Sequence, residues 1–182
     1  MEPRLICLIG AECTGKTTLA QALAQQMGGL WVPEYLRSFT DQHGRTPDSA
    51  EQVHILEEQV RQETLALATA RRQQQTLVFC DTAPLLTAVY SECVFADGSL
   101  YPRARSLHAR YALTLFLQPD LPWQSDGLQR DGVQPRAAVH QAIERVLAAG
   151  DGDDDVWPVV RIAGTESQRL AQAGDAVAGV TS

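Results

Sequence analysis

Leu5-Ile6-Cys7-Leu8-Ile9-Gly10-Ala11-Glu12-Cys13-Thr14-Gly15-Lys16-Thr17-Thr18 joins an unbroken apolar run to the spacing Gly-x4-Gly-Lys-Thr. The run has the composition of a strand buried on both faces. The glycines allow the backbone to wrap closely around phosphate oxygens, and loop N–H groups with the following helix N-terminus supply partial positive charge. Residues 10–18 (Gly10, Ala11, Glu12, Cys13, Thr14, Gly15, Lys16, Thr17 and Thr18) therefore read as a nucleotide phosphate site. Lys16 is the sole lysine; every other basic residue of the 15 Lys and Arg is arginine. A compact ammonium is what crowded phosphate oxygens require, and a guanidinium fork replaces it poorly. Thr17 supplies a hydroxyl for Mg²⁺.

Beyond the loop, Leu19, Leu23 and Met27 mark one helical face, and Gly28-Gly29 ends that helix. The rest alternates strand and helix. Leu30–Val32 is a second strand. Thr46-Pro47-Asp48-Ser49 is a turn, with Glu51 in capping position for a long amphipathic helix reaching Gln75. Residues 76–80 form a third strand ending at Asp81, and a helix runs from Pro84 to about Glu92. Residues 95–103 read as loop, with Asp97-Gly98 and Pro102 as breakers. Tyr111–Leu117 is a fourth strand, followed by a polar, turn-rich stretch. A helix over 137–148, a strand over 157–162 and a helix over 166–178 complete the chain. Gly150–Asp155 reads as a solvated acidic loop rather than a calcium site, because it lacks the closing glutamate. The pattern predicts one α/β domain over 1–182: a five-stranded parallel sheet with helices on both faces.

Ligands in such sheets bind beyond the carboxyl ends of the strands. Strand two delivers Glu34, which reads either as the base for an attacking hydroxyl or as an ion-pair partner of Arg37. Strand three delivers Asp81, which reads as a partner for Mg²⁺ or as the cap of the next helix. Strand four delivers a short lid, about residues 119–136, carrying Asp126, Arg130 and Arg136. The two arginines read as neutralisers of a transferring phosphoryl group, or as surface charges. Trp123 reads as a lid anchor or, more simply, as packing.

The 182 residues are 45% apolar and carry a net charge of −7, which excludes wholesale disorder. No basic stripe marks a nucleic-acid partner, and no apolar run approaches the ~20 residues of a membrane span. Cys7, Cys13, Cys80 and Cys93 have no metal-ligand spacing and read as reduced, mostly buried thiols of a cytoplasmic protein.

Taken in order, the loop over 10–18, Glu34-Tyr35-x-Arg37, Phe79-Cys80-Asp81-Thr82, Pro122-Trp123-x-x-Asp126-Gly127 and Arg136 resemble the ribosylnicotinamide kinase domain of NadR-type proteins and the wider NadR-like P-loop ATPase group. The resemblance spans Leu5 to about Ala178. It implies a nucleoside-kinase-like P-loop fold and Mg-ATP-dependent phosphorylation of the 5′-hydroxyl of nicotinamide riboside. It assigns Lys16 and Thr17 to ATP and metal, Asp81 to the metal or acceptor end, and Asp126, Arg130 and Arg136 to the lid. It puts Glu34, Tyr35, Arg37 and Asp126 with the acceptor. Three departures stand out. Pro33 occupies the place of a tryptophan that sandwiches the nicotinamide ring, leaving Trp31, on the same strand face, as the substitute. No Tyr or Phe occurs between Phe39 and Phe79. The family's Asp-Thr-Asp is Asp81-Thr82-Ala83 here. Another nucleoside as acceptor, or a regulatory nucleotide switch, stays open alongside this reading, as does a homodimer.

Overall fold

The computed structural model describes residues 2–122, 133–149 and 157–181. Five parallel strands, β1 (Arg4–Ile9), β2 (Leu30–Val32), β3 (Leu77–Asp81), β4 (Tyr111–Leu117) and β5 (Val159–Ile162), lie in the order β2-β3-β1-β4-β5. Helices α1 (Lys16–Met27), α2 (Tyr35–His43), α3 (Gln52–Gln73), α4 (Pro84–Phe95), α5 (Tyr101–His108), α6 (Val133–Ala149) and α7 (Glu166–Thr181) connect and flank them. Alternation along β1 divides the core. Leu5, Cys7 and Ile9 join the layer of α3, α4 and α6, whereas Ile6 and Leu8 face Leu19 and Leu23 of α1 and Val177 of α7. The predicted parallel sheet with helices on both faces is what forms.

Two helical stretches differ from expectation. Residues 101–103, read as loop, open α5, because Pro102 sits in its first turn, where the missing N–H costs nothing. The α2 helix follows directly on Glu34 and has no side-chain cap of its own. Its first N–H, on Tyr35, donates instead to Gln59 Oε1 of α3 at 2.9 Å. Gln59 Nε2 in turn donates to Glu63 at 3.2 Å. Glu63 is fully buried, accepts the Tyr111 hydroxyl at 2.8 and 2.9 Å, and pairs with Arg110. A polar chain thus runs beneath the helices to the start of α2 and holds the segment that carries Glu34 and Arg37. Ahead of α3, Asp48 and Glu51 cap each other's N–H groups at 2.9 and 3.0 Å, the reciprocal box anticipated there.

His108 lies at the far end of the sheet from the phosphate loop. It is 1% exposed, meets the Trp157 ring at a tilt with centroids 4.5 Å apart, and places Nε2 2.9 Å from Thr114 Oγ1. Burial pushes its pKa down to about 4 from 6.5. The unfolded chain therefore binds the extra proton first, and stability is lost as pH falls from 6.5 toward 4. Urea unfolding of wild type against His108→Leu is expected to show a loss of about 3 kcal/mol specific to the wild type over that window.

Candidate active site

The phosphate loop joins β1 to α1. Its turn uses left-handed backbone at Cys13 (φ 54°) and Gly15 (φ 81°). At Gly10 a Cβ would lie 2.8 Å from Thr14 Oγ1 and 2.9 Å from the Leu117 carbonyl, so only glycine lets the loop close against β4. The Thr14 hydroxyl donates to Ala11 O at 2.9 Å and fastens the turn internally. Lys16 opens α1 and folds Nζ back over the loop, donating to Gly10 O at 3.0 Å and Ala11 O at 3.1 Å. The ammonium is thereby held over the turn of the loop, on the wall of the neighbouring cavity.

Sheet order decides what stands beside this loop. β3 lies next to β1 with Leu8 opposite Asp81, so the third strand's end arrives at the start of α1. The Thr17 hydroxyl donates to Asp81 Oδ2 at 2.6 Å. Asp81 is 1% exposed, and its Oδ1 has no hydrogen-bond partner among the described residues. Burial pushes the carboxyl's pKa up, against the opposing pull of Lys16, the Thr17 hydroxyl and Arg37. A buried carboxylate with one unsatisfied oxygen next to a threonine hydroxyl fits a divalent cation. The described residues hold no cluster of three or more His, Cys, Asp or Glu, so such an ion would take the rest of its shell from phosphate oxygens and water, as Mg²⁺ does. The alternative role of Asp81 as a helix cap is not made: Ala83 occupies the N-cap of α4, without a side-chain bond. Thr82 between them has φ 95°, a strained conformation for a β-branched residue, costing about 1–3 kcal/mol.

Loop, α2, α4 and α6 border an open cavity of about 1250 Å³. Glu12, Cys13, Thr14, Gly15, Lys16, Thr17 and Thr18 line it, as do Trp31, Glu34, Arg37 and Arg136. Gly10 and Ala11 lie behind Lys16 rather than on the wall, and Asp81 reaches the cavity through Thr17. Tyr35 does not line it: its hydroxyl sits 3.2 Å from His54 Nε2, and the two rings meet edge to face. Arg136 is 7% exposed and donates to Leu121 O at 3.1 Å and Cys13 O at 3.3 Å, so it is neither a surface charge nor detached from the loop. Trp123, Asp126, Arg130 and the acidic stretch 150–155 lie outside the described residues.

The sequence reading missed the α4 wall. Tyr90, Cys93, Val94 and Phe95 line the cavity. Two aromatic residues, Tyr90 and Phe95, thus stand on the helix after Asp81 rather than on the long helix, and their spacing toward one end of α4 was the available signal. Only Cys7 and Cys80 are buried thiols; Cys93 is exposed and Cys13 partly so.

Residues 5–152 match the AAA domain family. The chain belongs to that family. No curated protein matches it. Among solved structures, the NadR protein in complex with NR superposes with a TM-score of 0.82 at 23% identity, covering 99% of this chain and 52% of that one. NadR in complex with NAD and AMP-PNP gives 0.77, also at 23% identity, over 99% and 50%. Thymidylate kinase from Ehrlichia chaffeensis gives 0.66 at 15% identity with full coverage of both chains. Deoxyadenosine kinase from M. mycoides gives 0.65 at 11% identity, over 96% and 99%. The AAA-domain chain thus spans about half the length of NadR and shares the fold of nucleoside and nucleotide kinases. No described helix is long and apolar enough to cross a membrane.

Proposed function

We propose that this AAA-domain protein is a Mg-ATP-dependent kinase that phosphorylates the 5′-hydroxyl of a nucleoside, with nicotinamide riboside as the acceptor. One observation carries the reading: the phosphate loop and Glu34 open onto a single cavity of about 1250 Å³. Single small-molecule sites run to roughly 300–1,000 Å³, so this volume suits a nucleotide and an acceptor together. The NadR complexes with NR and with AMP-PNP support the choice of ligands.

Phosphoryl transfer asks the protein for alignment and charge neutralisation. In this reading Lys16 and the loop N–H groups grip the phosphates. Thr17 and Asp81 hold Mg²⁺, which when bound neutralises charge on the phosphate oxygens. Glu34 orients the attacking hydroxyl and accepts its proton. Arg136 and Arg130 neutralise charge on the moving group, and Asp126 binds the acceptor. Trp31, Tyr90 and Phe95 line the cavity with Glu34, and aromatic rings beside a carboxylate are surroundings a cationic pyridinium favours. Arg37 belongs to the acceptor side.

The test is ADP release from Mg-ATP with and without nicotinamide riboside. A strong riboside-dependent rate is expected. Hydrolysis at one slow rate, whatever nucleoside is supplied, would overturn the kinase reading in favour of a nucleotide switch.

A further inference from the structure

Arg169, in the first turns of α7, is 3% exposed, deeper than Arg136 at 7%. Its guanidinium spans three strand-end loops. Nη1 donates to Thr14 O at 2.9 Å, Nε to Gly164 O at 2.8 Å, and Nη2 to Gln118 O at 3.0 Å while pairing with Asp120. Asp120 closes the arrangement by accepting the Gly164 N–H at 2.6 Å. A full buried charge is thus directed at backbone carbonyls of loops that follow β1, β4 and β5. Residues 14 and 169 are 155 positions apart in the chain.

Peptide geometry gives this contact a consequence for the ligand. In a trans peptide the carbonyl and the next N–H point in opposite directions. Arg169, Gln118 and Gly164 do not line the cavity, whereas Gly15 and Lys16 do. Holding Thr14 O on the Arg169 side therefore turns the Gly15 N–H the other way, into the cavity. A guanidinium makes these bonds from one rigid fork, and a lysine ammonium cannot span the same four acceptors.

We propose that Arg169, braced by Asp120, is a positioning residue for nucleotide binding: it fixes the Thr14–Gly15 peptide so that its N–H meets phosphate, and locks the loop after β5 to the phosphate loop. The inference rests on the reading of this loop as an ATP site.

Titration calorimetry of the full chain with Mg-ADP tests it, run on wild type, Arg169→Lys and Asp120→Asn, with acceptor KM and melting temperature measured in parallel. Losing bonds to a charged donor at the loop is expected to weaken Mg-ADP about tenfold in Arg169→Lys, and breaking only the brace about threefold in Asp120→Asn. Acceptor KM stays at the wild-type value in both. Equal Mg-ADP affinity in folded variants, or equal weakening of nucleotide and acceptor, overturns the proposal. Should Arg169→Lys fail to fold, Asp120→Asn decides alone, since the Asp120 side chain is 39% exposed and tolerates exchange. Wild type that binds Mg-ADP while the variants match it defeats this inference only; wild type that binds none defeats the ATP reading with it.

Discussion

Lys16→Ala is expected to lower acceptor-dependent ADP release about 10³-fold, with the fold retained. Removing one preorganised donor aimed at developing charge costs about 10²–10³ in other transfer enzymes, and Lys16 brings a full charge rather than a dipole. No second lysine exists in the chain to take over. The stability cost should be small. The ammonium donates to the Gly10 and Ala11 carbonyls, which water can reach once the side chain is gone, and α1 gains a better helix former at its first position. The measurement is kcat in the coupled assay, with circular dichroism and a thermal melt as controls. The Lys16→Arg substitution should recover little, because the guanidinium fork is too wide for the space Nζ occupies between two carbonyls. A drop of less than about tenfold in a folded Lys16→Ala protein would remove this lysine from the chemistry.

Asp81→Asn should move activity and stability in opposite directions. The carboxylate is buried, one oxygen bonded to the Thr17 hydroxyl and the other without a hydrogen-bond partner among the described residues. Burial raises its pKa, so in the absence of cation and nucleotide the charged form is disfavoured in the folded chain relative to the unfolded one. At neutral pH that difference destabilises the apo fold, and it disappears as pH falls and the folded carboxyl takes up its proton. The amide removes the charge at the same volume. The apo melting temperature is therefore expected to rise. Transfer activity is expected to fall roughly 10–100-fold, with a matching rise in the Mg²⁺ concentration needed for half-maximal rate, as when the groups that organise a metal's ligands are lost. Melts of apo protein and Mg²⁺ titrations of the rate check the two limbs separately. A variant that is less stable and equally Mg²⁺-responsive would make Asp81 a packing residue.

Much of the candidate site's layout was legible in the chain because its local chemistry is unusual. Gly-x4-Gly-Lys-Thr after Leu5–Ile9 constrains backbone, charge and the entry to a helix within one short segment. Asp81 at the end of a fully apolar run is costly anywhere but beside a cation or donor. Tyr35 illustrates the opposite case. The family resemblance put it with the acceptor, but Gln59 caps its N–H and His54 takes its hydroxyl, and both belong to α3. The aromatic wall was missed for a similar reason: Tyr90 and Phe95 follow an ordinary apolar helix pattern, and only the packing of α4 among α3, α5 and α6 brings them to the cavity.

The sequence by itself determined the class of fold, the phosphate loop and the strand ends that carry Glu34 and Asp81, since each follows from residue type at short spacing. The tertiary structure alone decided the strand order, and with it the 2.6 Å contact of Thr17 with Asp81. It also decided that Arg136 and Arg169 serve the carbonyls of Cys13 and Thr14 from helices more than 120 positions away. Spacing cannot encode such contacts. They arise when packing of the sheet and its helices removes a charge from water and leaves loop carbonyls as its hydrogen-bond partners.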